Sequence, residues 1–218
     1  MLNPVITGSG AELNKQITQF TEGGFYLPRY SHWTEFETQE EFDQIMEKDY
    51  QERLNRYEEY VQKYQPTDVV KQYINDMLKA DYYKSLFSYL NRFAYTRNQK
   101  IDIHQYTDKL KEAALLLANQ TIIESSFGLA ENMYNHLHLL NERYWKGDQS
   151  LTLEEVMEPL KDTPAIPYIF ARGLSISLNK LNDPTYFESQ KANFDRYIQS
   201  PYLRNSILRI QQSKKNFQ

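Results

Sequence analysis

The residues from Tyr106 to Trp145 form the most apolar stretch of the chain and limit its fold more than any other segment. Lys111-Glu112 leads into Ala113-Ala114-Leu115-Leu116-Leu117-Ala118, and Ile122-Ile123 follows a short polar step. Beyond Ser125, Ser126 and Gly128, apolar residues recur at Ala130, Met133, Leu137, Leu140 and Tyr144. Gaps of three and four are the stripe of an amphipathic helix. The first half is apolar on nearly every side, which predicts a helix surrounded by others, with the rest of the chain packed around this stretch. The unbroken run is far shorter than the ~20 residues that cross a bilayer, so no membrane insertion is expected. Serines and a glycine collect between Glu124 and Phe127, which predicts a break there in central helices spanning about 105–146. The β-branched Thr121-Ile122-Ile123 would also suit a strand, but nothing nearby offers it a partner strand.

The flanking sequence is punctuated as helices throughout. Residues 1–10 read as a connector, and a Met directly before it suggests a chain cut from something longer. A short helix follows from Ala11 to Phe20, with Leu13, Ile17 and Phe20 inward; Thr21 to Trp33, with two glycines and a proline among aromatics, reads as an ordered loop. Thr38 and Glu41 have the spacing of a capping box, in which each side chain satisfies an amide at the helix start. The helix they open should stop at Tyr64, before Pro66, with Tyr50, Leu54, Tyr57, Val61 and Tyr64 as a coiled-coil-like seam. Asp68 starts the next helix, which runs to about Arg97 with Val70, Tyr73, Ile74, Met77, Leu86, Leu90, Phe93 and Ala94 inward. The short link makes these two antiparallel neighbours. Thr152 and Glu155 make a second capping box, and Pro159, Pro164 and Pro167 enforce a bend before a helix from Tyr168 to Leu181. Asp183-Pro184 and Ser200-Pro201 start a closing helix pair over 184–216. The expected fold is an all-α irregular bundle or array of about eight helices with no sheet, residues 11–218 forming a single helical domain.

Composition removes several functions. A formal net charge of -4 argues against a nucleic-acid partner, which needs a basic surface. Cysteine is absent, so disulfides, thiolate metal sites and thiol nucleophiles are excluded. His136 and His138 lie two apart, about 200° around a helix, and cannot share a metal. His138 with Glu142 and His104 with Asp108 read as surface pairs. Glu40-Glu41, Glu58-Glu59 and Glu154-Glu155 are adjacent pairs whose side chains diverge, unlike the facing acids of a glycosidase. Glu124, beside isoleucines and serines, is the acid most suited to burial, and a hydrolase built on it is the weakest of three functional readings. No catalytic residue, cofactor or metal is expected, and the chain alone does not read as an enzyme. Eighteen tyrosines, among them Tyr82, Tyr83 and Tyr89, suit thin helical layers first. They leave open a helical module that stacks on glycan or peptide.

Charge is uneven along the chain. Residues 35–68 carry eleven acids and four bases, whereas Lys191 to Gln218 carries six bases against Asp195. Solvated helix faces explain both. The sharper reading is that the last helix docks through Leu203, Ile207 and Ile210 and offers Arg204, Arg209, Lys214 and Lys215 to a neighbouring domain or a second copy.

Three stretches carry a family resemblance: Asn3-Pro4-Val5-Ile6-Thr7-Gly8-Ser9-Gly10 running on to Asn14, Tyr60-Val61-Gln62-Lys63-Tyr64-Gln65-Pro66, and Phe194-Asp195-Arg196-Tyr197 through Ser200-Pro201 to Leu203. In that order they resemble the helical region between a β-domain and a thioredoxin-like domain in envelope-anchored thiol-disulfide oxidoreductase-like proteins of Gram-negative bacteria. The Cys-x-x-Cys of that family is absent, so no redox residue carries over. The resemblance implies a non-catalytic helical spacer or interaction module of a larger protein, with a periplasmic or outer-membrane-associated address.

Overall fold

A computed structural model describes residues 10–26, 38–96, 103–117, 127–140, 152–180 and 185–215. Among them are ten α-helices: α1 (Ala11–Glu22), α2 (Gln39–Tyr64), α3 (Asp68–Thr96), α4 (Thr107–Leu116), α5 (Phe127–Leu140), α6 (Leu153–Met157), α7 (Ile166–Lys180), α8 (Tyr186–Ser189), α9 (Lys191–Tyr197) and α10 (Pro201–Lys215). Single 3-10 turns cover Ile103–Tyr106 and Glu158–Leu160, and the described residues contain no strand. The fold is an all-α irregular helical array. Its contacts cluster into two compact units, Met1–Leu86 and Phe87–Gln218, a finer division than one domain over 11–218.

In the first unit the predicted boundaries hold to the residue at α2. Thr38 Oγ1 accepts from the Glu41 amide at 3.2 Å and the Glu41 carboxylate accepts from the Thr38 amide at 3.2 Å. Gln65 ends the helix in the left-handed conformation at φ 45°, donating to the Val61 carbonyl, and Pro66 follows. The seam is turned from its expected line. Phe42, Met46, Arg53 and Tyr60 are the buried residues of α2, while Leu54, Tyr57 and Val61 are half-buried and Tyr64 is exposed. A third helix is the reason: α1 lies against the Tyr60 side, with the Phe20 and Tyr60 rings 5.3 Å apart at 69°. A two-helix seam buries one line of side chains, and a third neighbour moves the buried line toward itself.

The core of this unit is Phe20, Tyr60, Val70, Ile74 and Leu78, walled by Leu13, Ile17, Tyr57, Tyr73 and Met77 among others. Burying each of the large members contributes about 1.5–3 kcal/mol. The tyrosines do what a thin layer needs, burying the ring and bonding the hydroxyl across to another element. Tyr60 donates to the Gln16 carbonyl at 2.7 Å, Tyr57 to the Lys71 carbonyl at 3.2 Å, and Tyr26 to Asp81 at 2.7 Å. Tyr82 and Tyr83 are buried as well, and Tyr50 stacks on Tyr82 at 4.6 Å.

In the second unit the hub is α7. Among the described elements α5, α6, α9 and α10 all pack on it, so within the Tyr106–Trp145 stretch α5 is a partner of α7; residues 118–126 and 141–145 of that stretch lie outside the described residues. Close approach explains this. A side-chain carbon on Gly173 of α7 would sit 2.5 Å from Tyr134 and 2.9 Å from Leu153, so the bare glycine lets α5 and α6 come against α7. Arg172 also pairs with Glu131 of α5 at 2.7 Å. The end of α3 meets α5 through Phe87 on His136 at 4.9 Å and through Asn91, whose amide donates to the Asn132 carbonyl at 3.1 Å. The all-round apolar reading of α4 is corrected at one position: Leu110, Ala113 and Ala114 are buried, but Leu115 is 64% exposed. The expected break at Glu124 to Phe127 falls mainly between α4 and α5, where residues 118–126 lie outside the described residues.

The second capping box, Thr152 with Glu155, opens α6 as predicted. The helix expected from Pro184 to about Gln199 is instead two short helices meeting at Gln190, whose amide donates back to Tyr186 and Phe187. In a straight helix residues seven apart stand about 10.5 Å apart along the axis. The bend brings the Phe187 and Phe194 rings to 5.2 Å. Pro201 then starts α10 as expected.

Candidate functional site

Two surfaces and one buried cluster were candidates for function. The first is α10. Leu203 and Ile207 are buried and Ile210 is half-buried, with α10 packed on α7, so the last helix docks along the expected face. Of its basic side chains, those of Arg204 and Arg209 are described, and they differ. Arg204 is turned inward: it pairs with Asp195 at 2.7 Å, donates to the Ile198 carbonyl at 2.9 Å, and lies 4.5 Å from the Phe194 ring centre. Hydrogen bonds from Lys191 first, and then from Arg204, hold the Asp195 carboxyl below its usual range. Arg204 therefore fastens α9 to α10, with part of its side chain still exposed. Arg209 is exposed, and the Lys214 and Lys215 side chains lie outside the described residues. Sequence reading missed Tyr202, 61% exposed and in line with Asn205 and Arg209 on the solvent side of α10. The signal was present, since 202, 205 and 209 follow helical spacing opposite Leu203 and Ile207.

The second surface belongs to the first unit. A shallow groove of about 650 Å³ runs along α1, lined by Ala11, Glu12, Lys15, Gln19, Glu22 and Tyr64, with Thr18 and Gly23 completing it. Tyr64 is 38% exposed, and its ring is braced by Tyr60 at 5.5 Å and by Phe25 edge-on at 5.9 Å. Lys63 holds its ammonium 5.1 Å from the same ring. The turn that ends α1 is fixed by Arg56, which donates to the Gly24 carbonyl at 3.0 Å and pairs with Glu52. Gly24 sits at φ +84°, a conformation that glycine adopts without strain. No spacing in the sequence brings Tyr64 to α1, because the two are distant along the chain and meet only through the packing of α1 on α2.

The buried cluster is Arg53, Tyr26 and Asp81. Arg53 is only 2% exposed, deep in a helix whose charge pattern reads as solvated. Burial first, and then the hydrogen bond to Asp81, push the Tyr26 phenol well above its usual range, with the Arg53 charge pulling the other way. A phenol held protonated that strongly is a poor proton donor or acceptor near neutral pH. The arrangement ties the segment after α1 to α3. Among the described residues no three histidine or acidic side chains gather as a metal site. His136 is fully buried against Phe87, and His138 lies edge-on to Tyr134 at 4.6 Å. Glu154 accepts from Asn193, joining α6 to α9, and Glu124 lies outside the described residues.

Comparison with models of protein families, with curated proteins and with solved structures finds no match.

Proposed function

We propose that the chain is a non-catalytic helical spacer and interaction module of a larger, envelope-associated thiol-disulfide oxidoreductase-like protein, with a periplasmic or outer-membrane-associated address. The supporting observation is the last helix. α10 is docked by Leu203 and Ile207 and fastened by Arg204, yet it leaves Tyr202 and Arg209 outward. Tyrosine and arginine are enriched where protein interfaces concentrate their binding energy, which makes this face suited to a following domain or a second copy. The resemblance at Phe194 to Leu203 falls on this same α9–α10 corner. The reading involves no nucleic acid and no membrane insertion; no helix among the described residues is long and apolar enough to cross a bilayer.

Peptide mapping of the native polypeptide, captured from its source cells with an antibody to this chain, tests the context. Cys-x-x-Cys peptides in the same polypeptide are the expected result, and their absence from a fully covered map overturns the oxidoreductase assignment. Hydrogen exchange tests the interface. Amides around Tyr202 and Arg209 should exchange more slowly in the native polypeptide than in the isolated chain, and equal rates would show that α10 meets nothing.

A further inference from the structure

The groove along α1 is independent of that reading, and its chemistry names a ligand class. We propose that it binds a neutral saccharide, with a sugar ring lying on Tyr64. Three features carry this. Tyr64 is exposed enough to be covered, yet Tyr60 and Phe25 hold its ring in place, so little side-chain freedom is lost on stacking. The backing is itself fixed, because Tyr60 is fully buried and bonded to the Gln16 carbonyl at 2.7 Å. The polar lining mixes acceptors and donors at successive turns of one helix: Glu12, Lys15, Gln19 and Glu22, with the Thr18 hydroxyl beside them. Sugar hydroxyls both donate and accept, and a rim of carboxylate, amide and ammonium groups meets them along a row.

Charge and shape narrow the class. Glu12 and Glu22 against Lys15 in the lining and Lys63 beside the ring leave no net positive charge, which disfavours a phosphate or an acidic sugar. A peptide helix needs an apolar trough for side chains at successive turns, and Tyr64 is the one aromatic ring in this lining. The shallow form, with a lining spread along α1 from Ala11 to Gly23, suits a chain of several sugar units better than a compact apolar molecule.

The test is a nitrogen-15 NMR titration of the purified chain with defined neutral hexasaccharides: glucose linked α or β, mannose, xylose, and N-acetylglucosamine. At least one should shift the amides of Lys15, Gln19, Gly23 and Tyr64. Tyr64→Ala should then weaken binding about tenfold, the upper range for one stacked ring. Gln19→Ala, a substitution on a half-buried helix position, should weaken it by a smaller factor and keeps the test valid if the tyrosine variant unfolds. Leu115→Gln, in the other unit, should bind as the parent does. No shift with any of the five sugars overturns the proposal, as does binding that maps away from α1. Groove shifts produced by peptides alone would replace the saccharide with a peptide ligand.

Discussion

Gly173→Ala sets two known effects against each other at the hub of the second unit. In a helix interior alanine is favoured over glycine by about 0.8–1 kcal/mol, so an unobstructed site would gain stability. Here the new methyl would stand 2.5 Å from Tyr134 Cε2, 2.9 Å from Leu153 Cδ2 and 3.1 Å from Tyr134 Cδ2. The leucine end can swing aside. The Tyr134 ring cannot do so readily, because it is 7% exposed and lies edge-on to His138 at 4.6 Å. Overpacking of this kind costs about 1–3 kcal/mol. The immobile ring places the clash toward the upper end of that range, and the net loss is up to about 2 kcal/mol. Thermal unfolding followed by circular dichroism should shift down by about 4–8 °C. Because two units need not unfold together, urea-dependent exchange of α7 amides gives the cleaner figure. In a Tyr134→Leu background the ring is gone and the same substitution should become neutral or stabilising, a coupling of about 1–3 kcal/mol. An increase in stability in the parent background, or equal effects in both backgrounds, would refute the close-packing argument.

Tyr60→Phe should lower the stability of the first unit by about 1 kcal/mol, read from urea-dependent exchange, since it removes one buried hydrogen bond but leaves the ring packing intact. Thr38→Ala should cost about the same at the start of α2 by loss of the cap, and an unchanged midpoint would show the box to be idle. Leu203→Ala should cost about 2–5 kcal/mol and release α10 amides to fast exchange; protection that survives the substitution would mean α10 is held elsewhere. Asp195 has its folded pKa lowered by the hydrogen bonds from Lys191 and Arg204. Its contribution is therefore present above the ordinary carboxylate range and is lost as pH falls through the lowered value. Acid titration of α9–α10 exchange should show that loss in the parent and not in Asp195→Asn.

Local chemistry made the helix ends legible. The two capping boxes, Pro66 and Pro201 act within a turn of themselves, and each boundary they mark stands where the spacing puts it. Faces were legible where one neighbour dominates the packing, as with Leu203 and Ile207 of α10 against α7. They were misread where a third element intervenes. The α2 seam is turned by α1, and Arg53 sits inside although its flanking acids suggest solvent. The role of α7 among the described elements was hidden for a related reason: Gly173 lets α5 and α6 close on it, and apolar content alone gives an absent side chain no weight. Likewise the basic run of the last helix is a fact of sequence, whereas the inward turn of Arg204 depends on Asp195 nine residues earlier.

Gln16 sets the order in which the first unit comes together. Its backbone carbonyl accepts from Tyr60, 44 residues away, and its side-chain oxygen accepts from the Thr67 amide, 51 residues away. α2 and α3 are joined by only three residues and find each other through near-neighbour contacts, whereas α1 must wait for a long loop to close. Loop closure therefore favours the hairpin before its cover, and pulse-labelled exchange during refolding should protect α2 and α3 amides ahead of those of α1. On opening the expected order is the reverse: α1 should leave first, baring the Tyr60 hydroxyl and the Thr67 amide, while the bond from Gln65 to Val61 keeps the turn shut. The N-terminal helix behaves as a latch over a hinge that is already formed.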